Sequence, residues 1–399
     1  MHPRRGQMMK ASLRHLRLLL ALIETGSVTQ AAAQLHVTQP AVSAALQGIE
    51  TALGTALFDR RPKGLILTPA GAAVALRLRR ALGLLDPALC DLNPQLKRTA
   101  TLAQLTALIA VTECESFAAA ARHLGLAQPS VHRALRQFEA AAGRSLFERS
   151  AKGMTASRAV RQLATATRLA LTELEQAEAD VADLSGREVG RVVIGAMPLS
   201  RSLLLGPAIA RFRGHWSALP IRITEGHYDN LAESLLRGEV DMLVGALRPP
   251  LPDFNQEILL QDAMAIVARP DHPLARITAP AVELTRWPWV VAGMGTPARD
   301  HFTAMFAAAQ LPCPTRLVET GSMTLLCDVL GRTDHLGFVS ALQAQRDIAN
   351  GRLLRLPYQT AQGTLRPIGL TTRRDWHPTR AQNDMIAALR AAVAEIASD

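Results

Sequence analysis

The stretch VTQAAAQLHVTQPAVSAALQ, Val28 to Gln47, decides how the rest of the chain is read. Ala31, Ala32 and Leu35 form one apolar face at helical spacing, His36-Val37-Thr38 interrupts it, and Thr38 is placed to cap a second helix. Pro40 falls in the first turn of that helix, where a missing N–H carries no penalty. Ala41, Val42, Ala45, Leu46 and Ile49 make its apolar face and leave the short polar side chains of Thr38, Gln39 and Ser43 on the other. A helix that presents small polar groups at its N-terminal turn fits a DNA major groove. An ordinary αα-hairpin fits the same pattern, and the residues that follow separate the two readings.

Ile49-Glu50 and Leu53-Gly54 lead to Leu57-Phe58-Asp59-Arg60-Arg61, Lys63-Gly64-Leu65 and Thr68-Pro69-Ala70-Gly71. This predicts a helix end, a short strand, a basic glycine turn and a second strand, which is a winged helix-turn-helix. The runs TQPAVS, LFDRR and LTPAG fall at the spacing of the LysR-type transcriptional regulators, and the chain resembles that family closely from about Ala11 to Gly71. The resemblance implies a DNA-reading helix with Thr38, Gln39, Pro40, Ser43 and Gln47 at the duplex, and Arg60, Arg61 and Lys63 on phosphates.

The charge is placed to suit that partner. The formal net charge is +10 over 399 residues, and residues 1–100 hold 13 Lys and Arg against 5 Asp and Glu, a net +8. Residues 101–186 are balanced at 9 and 9. A polyanion would need the excess near the first helix-turn-helix, where it lies.

The motif then repeats. Leu105 to Gly153 matches Leu16 to Gly64 without a gap, at an offset of 89 residues. Gln128-Pro129 meets Gln39-Pro40, Glu139 meets Glu50, Gly143 meets Gly54, and Leu146-Phe147 meets Leu57-Phe58. Duplication departs from the single unit usual in the family. The second helix carries His132, Arg133 and Arg136 where the first has Ser43, Ala44 and Gln47, so Gln128, Ser130, Arg133 and Arg136 are its candidate DNA contacts. Its wing lacks the Thr-Pro-Ala-Gly ending. Two readings stay open: both copies grip DNA, or the second is a packing or dimer module.

The organisation expected is a DNA-binding domain at 11–71, a helical connector at 72–99 closed by Pro94, and a second helix-turn-helix-like domain at 100–157. A linker helix at 158–186 and a two-lobed effector-binding domain at 187–399 complete it. On the linker, Val160, Leu163, Ala164, Thr167, Leu171, Leu174, Ala177, Val181 and Leu184 track one face, with Glu173, Glu175, Glu178, Asp180 and Asp183 on the other. Such a stripe buries against a partner helix. The resemblance implies that the partner belongs to a second subunit, giving a homodimer or homotetramer.

From Gly190 the period changes to short apolar runs alternating with helices, which predicts parallel sheets in two α/β lobes. Ala263 to Ala268 reads as a crossing strand and Pro367 to Thr371 as a return to the first lobe. The pattern resembles the effector domain of LysR-type regulators, of periplasmic-binding-protein type. That implies a small-molecule effector between the lobes, where helix N-termini favour anions. The candidate contacts are Ser200, Arg201, Ser202, Thr296, Arg299, Ser322, Met323 and Phe338; each hydroxyl could equally be only an N-cap. Arg201 or Arg299 in the crevice would favour an acidic effector.

No cofactor, metal or catalytic residue is expected. Cys90, Cys114, Cys313 and Cys327 stand too far apart for a zinc or disulfide framework, which suits the cytoplasm. No stretch is long enough to span a membrane, and Leu18 to Ile23, bordered by Arg17 and Glu24, reads as a helix of the DNA-binding domain. His215, His227, Asp229 and His301 share no catalytic spacing. The competing reading is a small-molecule binding protein whose N-terminal helical units serve oligomerisation.

Overall fold

A computed structural model describes residues 8, 11–62, 64–150, 153–197, 204–276, 280–358 and 365–396. The chain divides into two compact units, the first running to Arg191 with two short later segments, the second holding the remainder.

In the first unit, α1 (Leu13–Thr25), α2 (Val28–Gln34) and α3 (Gln39–Leu53) precede a two-stranded antiparallel wing, β1 (Phe58–Arg61) and β2 (Gly64–Leu67). Ser12 and Ser27 cap α1 and α2 by accepting from the N–H groups of His15 and Gln30. Gly26 and Gly54 end α1 and α3 in the left-handed region, at φ 63° and 71°. Thr38 holds the N-cap position of α3, but its hydroxyl makes no capping bond. Val42, Ala45, Ile49 and Leu53 of α3 bury against Leu16, Leu19 and Leu22 of α1 and Ala31 and Ala32 of α2. Each fully buried leucine contributes about 1.5–3 kcal/mol.

After α4 (Pro69–Leu92) and the short α5 (Leu96–Thr99), the same order recurs: α6 (Leu102–Cys114), α7 (Phe117–Leu124), α8 (Gln128–Ala142), β3 (Phe147–Ser150), β4 (Gly153–Ala156) and α9 (Arg158–Asp183). The offset of 89 reaches individual bonds. Leu57 N–H donates to the Glu50 carboxylate at 2.7 Å, and Leu146 N–H to Glu139 at 2.9 Å. Leu65 N–H donates to Gly26 C=O, and Met154 N–H to Glu115 C=O. Thr68 caps α4 as Ser157 caps α9. One position diverges: a Cβ at Gly71 would stand 2.0 Å from Leu57 O, whereas its counterpart in the second copy is the fully buried Val160.

In the connector, α4 continues through Pro87. Leu85, Leu89 and Leu92 are buried on both sides of it, and their burial outweighs the roughly 3 kcal/mol cost of an internal proline. Most of the apolar stripe of α9, expected to meet a second subunit, packs on α4 of the same chain, while Leu184 at its end is exposed. Glu173, expected on the outer acidic face, is 6% exposed and meets Arg77 and Arg80 of α4. Arg77 reaches Glu173, Gln176 and Asp180, while Arg80, further along α4, reaches the earlier Glu173. The two helices therefore run antiparallel.

The second unit holds two five-stranded sheets. The first has the order β6-β5-β7-β14-β8, with β5 (Val192–Ala196), β6 (Ile221–Glu225), β7 (Met242–Ala246), β8 (Phe254–Asp262) and β14 (Arg366–Arg373). The second has the order β11-β10-β12-β9-β13, with β9 (Met264–Ala268), β10 (Trp289–Val291), β11 (Leu317–Glu319), β12 (Leu336–Ser340) and β13 (Leu354–Arg355). Among the helices are α10 (Gly206–Arg213), α11 (Tyr228–Leu236), α12 (Pro297–Ala308), α13 (Met323–Arg332), α14 (Ala341–Ala349) and α15 (Arg380–Ile396). Both sheets are mixed rather than parallel: β14 runs antiparallel to β7 and β8, and β9 antiparallel to β12. The antiparallel members are the strands at which the chain passes from one sheet to the other, after Asp262 and again before Arg366. Trp289, Phe302, Phe306 and Phe338 fill the core of the second lobe, with ring centroids 5.1–5.7 Å apart.

Candidate DNA-reading surface and effector crevice

Burying Val42, Ala45 and Ile49 leaves the opposite side of α3 in solvent. Thr38, Gln39, Pro40, Ser43 and Gln47 are all exposed, as are Arg60 and Arg61 on β1. Glu50 accepts from the Leu57 amide and so ties the end of α3 to the start of the wing, fixing the basic strand relative to the helix. Lys63 lies outside the described residues.

In the second copy, Val131, Leu135 and Phe138 are buried and Gln128, Ser130, Arg133 and Arg136 are exposed on α8. His132 takes the place of Ser43 but does not extend outward. Its ring stacks on Phe117 at 3.9 Å and 14°. The outward cations of α8 are thus Arg133 and Arg136, against uncharged Ala44 and Gln47 on α3.

In the second unit, Ser200, Arg201 and Ser202 lie outside the described residues. Thr296 caps α12, accepting from Arg299 N–H at 3.3 Å and donating to Gly293 C=O at 2.8 Å. Arg299 is 9% exposed; it donates to Glu319 at 3.0 Å and lies over the Phe302 ring. Ser322 caps α13 through Leu325 N–H, and Met323 is half-buried against the second-lobe core. Phe338, expected as an effector contact, is 2% exposed and packs on Phe302 in the aromatic core of the second lobe.

Sequence reasoning does not find a cluster at the C-terminal end of β7. Arg248 crosses to the other lobe, where its Nη2 donates to Gly295 C=O at 3.4 Å, one residue before the α12 cap. Its guanidinium sits 4.9 Å from the Tyr228 ring centroid. Burial lowers the Arg248 pKa, partly opposed by Tyr228, Asp229 and Asp300. Arg248 Nη1 and the Tyr228 hydroxyl are buried without a hydrogen-bond partner. The available signal is position: Arg248 closely follows a fully apolar strand, at the strand end where open α/β sheets bind ligands. An apolar cavity of about 220 Å³ lined by Leu284, Phe306, Leu311 and Tyr358 opens at the other end of α12. Among the described residues, no cluster of three or more His, Cys, Asp or Glu could hold a metal, and no helix is long and apolar enough to cross a membrane.

Residues 13–72 and again 102–173 match the family model described as bacterial regulatory helix-turn-helix protein, lysR family, and residues 185–394 match the LysR substrate binding domain. The chain is 34% identical to the HTH-type transcriptional regulator GalR of Pseudomonas putida over 391 residues, 96% of this chain and 98% of the relative. It is 27% identical to the regulator PcaQ of Agrobacterium fabrum over 295 residues, 73% of this chain and 94% of that one. In fold it is similar to a point variant of full-length OxyR from Pseudomonas aeruginosa, with a TM-score of 0.53, 19% identity and coverage of 73% and 94%. It is also similar to full-length CbnR complexed with target DNA, with a TM-score of 0.50, 19% identity and coverage of 73% and 98%. Full-length LysG from Corynebacterium glutamicum with bound effector Arg gives a TM-score of 0.50 at 18% identity, covering 73% and 97%.

Proposed function

The chain belongs to the LysR family of bacterial helix-turn-helix regulators, and from that premise we propose how its parts divide the work. It is a DNA-binding transcriptional regulator with an effector-binding domain, and its partners are duplex DNA, a small-molecule effector and further copies of itself. CbnR has been solved with its target DNA and LysG with its effector; the same two ligand classes are assigned here to the helical and the two-lobed parts. Gln39, Ser43 and Gln47 of α3 read base edges, Thr38 and Pro40 set its first turn against the duplex, and Arg60, Arg61 and Lys63 hold phosphate. One observation carries this reading: an exposed, uncharged polar edge on a helix locked by its buried face, with two exposed arginines on the wing tied to its end. Gln128, Ser130, Arg133 and Arg136 form a second reader.

The effector is assigned to the crevice beside Arg248, Tyr228 and the Thr296 cap, with Arg299, Ser322 and Met323 on the second-lobe side. An unpartnered guanidinium nitrogen beside an unpartnered hydroxyl suits a carboxylate. The site of action is the cytoplasm, where the DNA is, and no residue is given a catalytic role.

Binding to duplex DNA from upstream of the chain's own gene tests the reading. Affinity should fall steeply with salt, with a log–log slope of about −0.9 per phosphate contacted, and Gln39→Ala/Ser43→Ala should abolish preference for that duplex over random sequence. A salt-insensitive protein would instead be the alternative, a ligand-binding protein with oligomerising helical units. For the effector, a panel of mono- and dicarboxylates should raise the unfolding temperature of the wild type and leave Arg248→Gln unmoved.

A further inference from the structure

We infer that each chain pairs its two winged units with one another and so reads a bipartite DNA site whose halves differ in sequence. The inference rests on the DNA-reading assignment above and goes beyond it in naming what the pair recognises.

The pairing is specified by unlike partners. The α4–α9 seam buries Arg77 completely, with its Nε and Nη1 donating to Asp180, Glu173 and Gln176 at 2.7–2.9 Å, and Arg80 adds a second bond to Glu173 at 2.8 Å. In each of these bonds the cation is on α4 and the acceptor on α9. At the offset of 89, the residue of α9 that stands where α4 has Arg77 is Ala166, and where α4 has Arg80 it is Leu169. Conversely, α4 has Leu84, Pro87 and Asp91 where α9 has Glu173, Gln176 and Asp180. Two α9 helices packed in this register would bury Glu173 and Asp180 against Ala166 and Leu169. Two α4 helices would set Arg77 and Arg80 against Leu84 and Pro87, with Asp91 as the one carboxylate in the matching positions. Each like-with-like pair leaves buried charge short of counter-ions, while the unlike pair supplies them. The nine residues between α4 and α6 keep the two partners on one chain.

The two readers held in this way are not equivalent. The exposed edge of α3 carries Gln39, Ser43 and Gln47, none of them charged; that of α8 carries Gln128, Arg133 and Arg136. Arginine fits the O6 and N7 acceptors of guanine, and glutamine fits adenine. Two identical half-sites would suit only one of these edges. The site that suits both has unlike halves, with guanine in the half that faces α8.

The experiment is selection of a random 40-base-pair duplex pool on the full-length chain, repeated with Gln39→Ala/Ser43→Ala and with Arg133→Ala/Arg136→Ala. The expected wild-type motif has two dissimilar halves. The arginine variant should lose preference only in the guanine-bearing half, by about tenfold or more, and the α3 variant only in the other. A palindrome with equal halves, unmoved by the arginine variant, would overturn the inference while leaving DNA reading by α3 intact. Failure to enrich any sequence, with no salt-dependent retention, would overturn the DNA assignment itself. Charge reversal tests the pairing: Arg77→Glu/Arg80→Glu should abolish selection, and adding Glu173→Arg/Asp180→Arg in the same chain should restore it. Restoration on co-expressing an Arg77→Glu/Arg80→Glu chain with a Glu173→Arg/Asp180→Arg chain would show pairing between chains and overturn the inference.

Discussion

Arg77 is fully buried and donates from Nη1 to Oε2 of Glu173 at 2.9 Å, although 96 residues separate them. With Asp180 at 2.7 Å on the other side of the guanidinium, this is the polar centre of an otherwise apolar helix pair. Arg77→Met keeps the volume but removes the guanidinium that Asp180 and Glu173 share, leaving the buried Glu173 to Arg80. Unfolding in urea should show a loss of about 3–5 kcal/mol. Arg77→Met/Glu173→Leu should recover part of it, because the buried pair is replaced by apolar groups while Asp180 and Arg80, which lose these contacts, lie nearer solvent. A single variant that loses under about 1 kcal/mol would mean that water reaches the cluster.

The two wings should be loosened alike by one change at matching positions. Glu50 and Glu139 each accept the amide seven residues on, from Leu57 and Leu146, as the chain enters the wing. Replacing either glutamate by alanine leaves a part-buried N–H unpaired, at a cost of about 1–3 kcal/mol. Hydrogen exchange should then accelerate at Leu57 in Glu50→Ala and at Leu146 in Glu139→Ala. Unchanged protection in either variant would show that strand pairing alone holds that wing.

The winged unit is legible in the sequence because its signals are local. Gln-Pro in a first turn, glycine at αL positions and a carboxylate seven residues before an amide act within a few turns of chain. Their recurrence at a constant spacing makes the second copy readable too. The α4–α9 pairing is not legible, since an apolar stripe says that a partner exists but not on which chain it lies. Glu173 reads as solvent-facing because an acidic run is normally hydrated, and only Arg77, far away in sequence, reverses that. In the second unit, Arg248 escapes for the same reason. Its neighbours in space, Tyr228 and Gly295, are set by the sheet order, which alternating hydrophobic runs do not encode.

Asp262 ties the two strands at which the chain passes between lobes. It ends β8 and accepts from Arg366 Nε, across the ladder at the start of β14, at 2.7 Å; it also accepts from Ser340 Oγ at the end of β12 at 2.7 Å. The carboxylate is fully buried, so its two donors differ in consequence. Arg366→Met removes the counter-ion and should cost about 3–5 kcal/mol. Ser340→Ala removes one neutral donor together with the cap of α14, where its Oγ accepts from Gln343 N–H, and should cost about 1–3 kcal/mol. Chemical denaturation of the two variants side by side gives the ordering, and equal losses would indicate that water screens the Arg366 contact.

His272 should make the second unit sensitive to mild acid. It is fully buried, its Nδ1 accepts from Leu274 N–H at 3.1 Å, and its Nε2 lies 3.2 Å from Asp334 C=O, so the proton sits on Nε2. A second proton on Nδ1 would face the Leu274 N–H. Burial lowers the His272 pKa, with the Asp334 carbonyl and carboxylate opposing it in part; burial likewise lowers His301 and His335. A folded pKa below the unfolded value of about 6.5 means that the unfolded chain binds more protons in the interval between them. Stability is therefore fully present above about pH 6.5 and declines as pH falls through that value, by at most about 1.4 kcal/mol per pH unit for each proton. His272→Gln removes one of these protons, and its unfolding temperature should fall less steeply than that of wild type between about pH 7.5 and about pH 5. Parallel curves for the two proteins would show that protonation of His272 does not contribute.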